Sequence, residues 1–133
     1  MSPSQSLRPL VAGALLPLLG GCSALGPNLT GGWSGACTTY TPTGDVAYAL
    51  ELDLEDDRGE VTGEGDAEIT DPLLGEFFVE LMISGARKNS GAALEAKGKE
   101  QGRLDLEGEL SDQTFEGTCV VGEDWGPFEL KRR

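Results

Sequence analysis

The 133-residue chain contains no histidine. That absence removes histidine-based catalytic triads, histidine zinc sites and the imidazole proton shuttle in one step. Basic residues are scarce, 10 lysines and arginines against 23 aspartates and glutamates, for a formal charge of −13. Nucleic-acid phosphates need basic contacts, so this balance excludes a nucleic-acid partner, and it opposes lying flat on an anionic lipid surface. An acidic, solvated exterior accounts for the charge. No apolar run reaches the roughly 20 residues that a membrane-spanning helix needs, and no glycine pattern stands in a phosphate-loop setting. With acids this abundant, carboxylate pairs spaced for general acid and base work arise by chance. The expectation is a protein that is not an enzyme and uses no cofactor and no metal.

What the chain does have begins at its front. MSPSQSLR carries one positive charge and no acid, and PLVAGALLPLLGG follows as a short run of apolar and small residues, the layout of a secretory signal. Leu19-Gly20-Gly21-Cys22 resembles the lipobox of bacterial lipoproteins. The resemblance implies cleavage before Cys22 and acylation of that cysteine with palmitate-like chains, so that the protein meets the membrane through an N-terminal lipid. Each buried methylene contributes about 0.8 kcal/mol and one chain anchors only marginally, so several chains hold firmly. Ser23 stands where an aspartate often retains members of that family at the inner membrane, which implies the outer membrane of a bacterial envelope. Asn28-Leu29-Thr30 matches a glycosylation acceptor, a chance match in a bacterial lipoprotein. The expected organisation is a signal peptide over 1–21, a lipidated linker over 22–28 and one domain over 29–133. The processed chain of 112 residues carries 9 bases and 23 acids.

From Trp33 onward the dominant period is two, broken by glycine-rich turns, as antiparallel strands with one buried face require. In Tyr48 to Glu55, Leu50, Leu52 and Leu54 face one way and three carboxylates the other. A turn over Asp56-Asp57-Arg58-Gly59 pairs Leu54 with Val61, which keeps both apolar faces together. It also sets Glu55 against Glu60 and Glu51 against Glu64, like charges that cost stability. Further strands follow over 77–86, 92–97, 102–111, 114–121 and 128–132, with 32–41 in front, about eight in all. Asp71 to Met82 reads either as an N-capped helix or as a short helical turn at 72–75 leading into a strand; the alternation through Ile83 favours the second, with Phe78 and Met82 facing out as a contact patch. Short connections suit hairpin neighbours. The fold class expected is all-β, a small antiparallel up-and-down barrel that closes to hide its apolar face and its edges. A flattened β-sandwich is the alternative.

Leu29-Thr30-Gly31-Gly32-Trp33, then Gly59-Glu60-Val61-Thr62-Gly63 and Ile83-Ser84-Gly85-Ala86-Arg87, resemble the first half of avidin-type barrels. The Gly31-x-Trp33 start, with a basic residue near the end of the last strand, is similar to the wider lipocalin, or calycin, group. The resemblance implies that Trp33 plugs the closed end of the barrel and that Arg132 covers it by cation–π stacking. The tryptophans that avidin-type biotin sites use are missing from the corresponding strands, so biotin is not implied.

With Cys22 assigned to lipid, Cys37 and Cys119 remain, and an exported protein is expected to bridge them. A regular meander resists this. The final strand would lie between theirs, and two strand spacings, about 9.5 Å, exceed the roughly 7 Å limit for bridged Cα atoms. The inward positions Gly63, Gly65, Ala67, Ala92, Ala96, Gly108 and Gly117 either let a tight barrel taper or leave a pocket. A pocket would take a small apolar ligand, with Tyr40, Tyr48 and Trp125 as contacts for ligand or partner. Trp125, placed in a loop over 122–127, either folds back over the mouth or projects as an anchor. The expected function is that of a lipid-anchored envelope binding module for a small apolar ligand. The alternatives are a protein-interaction or protease-inhibitor module with a filled barrel, and a structural envelope lipoprotein.

Overall fold

A computed structural model describes residues 27–133; the signal segment and Cys22 lie outside the described residues. Eight strands follow one another: β1 (Gly31–Thr41), β2 (Gly44–Asp57), β3 (Glu60–Asp71), β4 (Gly75–Lys88), β5 (Gly91–Gly98), β6 (Arg103–Leu110), β7 (Thr114–Val121) and β8 (Asp124–Arg132). Each pairs antiparallel with the next, and β8 pairs back on β1 from Trp33↔Arg132 to Tyr40↔Trp125. The result is a closed up-and-down barrel without sheet edges. Closure distinguishes it from the flattened sandwich.

The hairpins are tight because their turns carry the right residues. Arg58 and Gly59 both have positive φ, 56° and 96°, as a two-residue turn matched to strand twist requires. This corrects the register expected for β2 and β3. Asp56 does not turn; it stays in the strand opposite Val61, and Leu54 faces Gly63. The shift is two residues, so every side chain keeps its face. Like charges are still opposed, now as Glu51 with Asp66, Asp53 with Glu64 and Asp57 with Glu60. The Arg133 guanidinium lies 2.7 Å from Asp53 Oδ1 and 3.9 Å from Glu51 Oε1, which offsets part of that repulsion. At the β3–β4 connection the short turn precedes a strand: the Asp71 carboxylate accepts from the Leu73 and Leu74 amides at 2.8 and 3.0 Å. A second correction concerns β8, which begins at Asp124 and not at Phe128. Its connection to β7 is only Gly122-Glu123, so Trp125 belongs to a strand and not to a loop.

Among the described residues the apolar core runs from Leu29 to Leu130. One end is filled. Trp33 is fully buried there, edge-on to Phe115 at 6.5 Å, and Phe115 packs edge-on to Phe128 at 5.0 Å. The glycines at inward positions in this half serve close packing. A Cβ on Gly63 would stand 2.9 Å from Leu54 Cδ2, and one on Gly65 would stand 2.8 Å from Leu52 Cδ2. Gly108 faces Gly117 across β6 and β7, and a Cβ on Gly117 would come 2.5 Å from the Gly108 Cα.

Cys37 and Cys119 are joined, with Cα atoms 6.3 Å apart although β8 runs between β1 and β7. The wall bends sharply where they meet. Gly126 faces inward between them, and a Cβ there would collide with the Thr38 carbonyl oxygen. The β1–β8 ladder skips from Cys37↔Phe128 to Tyr40↔Trp125 at that point, where Pro127 has no N–H to offer. A pinched wall replaces the arc of two regular spacings by a shorter chord, and the bond fits within it.

Candidate functional site

The two ends of the barrel differ in chemistry. At the filled end Arg132 covers Trp33, its guanidinium carbon 4.3 Å from the ring centroid. The same guanidinium donates to the carbonyls of Thr30 and Asn28 at 2.8 and 2.9 Å, and the indole Nε1 donates to the Leu29 carbonyl at 2.9 Å. These bonds stitch the segment ahead of β1 across the bottom. Sequence reasoning missed a second clasp there, between Asp56 and Arg87. The Asp56 carboxylate, fully buried, accepts from the Leu29 and Gly59 amides at 2.9 and 2.8 Å and forms an ion pair with Arg87. Burial alone would raise its pKa, but the Arg87 hydrogen bond, the two amides and the Arg87 charge outweigh it and hold the carboxyl below its usual range. The available signal was parity: Asp56 falls on the apolar face set by Leu50, Leu52 and Leu54.

The other end, where the β1–β2, β3–β4, β5–β6 and β7–β8 connections gather, holds a half-open cavity of about 650 Å³. Its volume falls within the roughly 300–1,000 Å³ of small-molecule sites. Its wall is chiefly aliphatic and aromatic, including Val46, Ile69, Phe77, Val79, Leu81 and Leu104. Ala67 and Ala96 create the space, since larger residues at either position would fill it. Small inward residues therefore play both expected parts, glycines packing the filled half and alanines lining the open one.

Tyr48 is the aromatic polar group in the wall. Burial pushes its hydroxyl above the usual 10, Thr39 opposes the shift, and the carboxylates of Asp124 and Asp71 add to it. Tyr48 is thus a neutral hydroxyl at physiological pH. Thr39 lies inside the barrel opposite the lining residue Val46. It is close enough to Tyr48 to act on its ionisation. No hydrogen bond of acceptable geometry results, and the Thr39 hydroxyl is the buried side-chain oxygen left without a partner among the described residues.

Tyr40 and Trp125 do not join Tyr48. Both stand on the outer wall, 52% and 61% exposed, edge to face with each other at 6.4 Å. Trp125 does not fold over the mouth, because a strand starting at Asp124 points its second residue outward. Val120, opposite Trp125 in β7, extends this aromatic strip. A second exposed apolar group flanks the mouth: Leu73 and Leu74 on the β3–β4 turn, with Phe78 and Met82 along the outside of β4. Cations at the rim are already engaged. Lys99 pairs with Glu80 at 3.4 Å, and Arg103 pairs with Glu95 and Asp105 at 2.9 Å each.

No protein-family model, no curated protein and no solved structure matches this chain.

Proposed function

We propose that this protein is a lipid-anchored bacterial envelope lipoprotein whose barrel acts as a non-catalytic binding module for a small apolar ligand. The observation that carries the reading is the half-open, mainly apolar cavity of about 650 Å³ at one end of an otherwise filled barrel. A module working only through its outer surface has no need of such space, since packed interiors hold few voids larger than a water molecule. The avidin- and lipocalin-like sequence features agree with a barrel that receives ligands at its mouth. Cys22 lies upstream in sequence of Asn28 and Leu29, which cross the filled end.

Binding of an uncharged naphthylamine dye, followed by its fluorescence, tests the cavity. Ala67→Leu and Ala96→Leu place extra methyl groups where the ligand would lie. Each is expected to weaken binding at least tenfold while the melting temperature holds within a few degrees. Binding that survives both substitutions would place the ligand elsewhere. A second reading, as a protein-interaction module, is favoured by the exposed Tyr40–Trp125–Val120 strip. Loss of a partner on Trp125→Ala, with dye binding intact, would support it.

A further inference from the structure

The cavity is apolar, but its rim has a sign. Its lining includes three carboxylates, Asp71, Glu80 and Glu100, and two cations, Lys99 and Arg103. Both cations sit in ion pairs, whereas Asp71 and Glu100 have no cation within 4 Å among the described residues. The neighbouring turns and strand starts add Asp45, Glu76, Glu123 and Asp124, all acids. Of these acids, Asp124 and Asp71 lie near enough to the Tyr48 hydroxyl to add to the upward shift of its pKa that burial produces. An anionic head group at this mouth would have to displace a carboxylate from Lys99 or Arg103 and remain beside the others. A cationic head would meet unpaired carboxylates while its tail occupied the space beside Ala67 and Ala96.

We infer that the cavity selects amphiphilic amines, apolar ligands bearing one positive charge, and rejects fatty-acid-like anions. The inference rests on the binding function proposed above and adds the charge of the ligand to it. One unit charge about 4 Å away in water changes affinity about fivefold, and more where the site is partly shielded from solvent.

The test uses residues 23–133, which contain every core residue among the described residues and the disulfide, and titrates decyltrimethylammonium, decanol and decanoate below their aggregation limits, by calorimetry and by displacement of the naphthylamine dye. The ammonium is expected to bind at least fivefold tighter than the alcohol, and the carboxylate weaker than both. Raising salt from 0.05 to 0.5 M should narrow that order. Asp71→Asn retains the oxygen that accepts from Leu73 and Leu74 and removes the charge. It should weaken the ammonium about fivefold and the alcohol by much less, and Glu100→Gln, on the exposed β5–β6 loop, should act in the same direction. Decanoate binding as tightly as the ammonium would overturn the charge selection, as would an Asp71→Asn variant that weakens all three ligands equally. The alcohol binding best would also end it while leaving the apolar cavity function standing. If none of the three binds, neither giving heat nor displacing the naphthylamine dye, both readings fall.

Discussion

Two buried polar side chains in this barrel have opposite outcomes. Asp56 has every partner it needs, and Thr39 has none. Breaking a buried ion pair by removing one member typically costs about 3–5 kcal/mol, because the remaining charge is stranded. Arg87→Ala is therefore expected to lower unfolding free energy by that order in a denaturant titration, more than Arg103→Ala at the exposed rim. The pH response follows from the lowered Asp56 pKa. Its contribution is fully present above the unfolded carboxyl value of about 3.9 and is lost as pH falls through the lower folded value. Acid melting should show that loss in the native chain and not in Asp56→Asn. Thr39→Val should raise stability by about 1 kcal/mol, since the hydroxyl is buried without a bond; a loss instead would mean that it has a partner.

The strands were readable because period two survives any even shift of register. Leu50, Leu52 and Leu54 point inward whether Leu54 pairs with Val61 or with Gly63. What the pattern does not encode is where a strand ends. Asp56 reads as a turn residue by type and is a core residue by position, and Arg87, 31 residues on, together with the Leu29 and Gly59 amides makes its burial tolerable. Trp125 follows the same logic, since a turn of Gly122-Glu123 instead of six residues sends the indole outward. The pinch at β8 makes a sharp prediction. Gly126→Ala forces its Cβ into the Thr38 carbonyl and should cost about 2 kcal/mol or more, in line with core overpacking. Replacing both Cys37 and Cys119 with serine should cost about 4–5 kcal/mol in the chain-entropy model for a closure of this length. If reduction leaves the melting temperature unchanged, the clasp is not a stabilising element.

The described residues form a cup: a bottom filled by Trp33, Phe115 and Phe128, and a mouth left open between Tyr48, Ala67 and Ala96. A barrel of eight strands is just wide enough for its interior to be filled by side chains or to hold one small ligand. This one is filled at one height and open at the other. The proposed anchor belongs to the same scale. Cys22→Ser is expected to release the protein from membranes into the soluble fraction and to abolish acylation by intact-mass measurement, with dye binding by the released barrel unchanged. Acylated protein found only at another residue would refute the lipobox reading.

Composition and periodicity sufficed for the all-β class, the closed antiparallel meander and the inward faces, because each depends on alternation along one strand; the pairing of Trp33 with Arg132 was implied by the resemblance to calycin-type barrels. The Asp56–Arg87 clasp, the wall pinched at Gly126 that allows Cys37 to reach Cys119, and the division into a packed half and an open half were settled by closure of the barrel. Those features depend on distances across the sheet, and a side chain's neighbour on the next strand is set by turns and curvature that no single strand records.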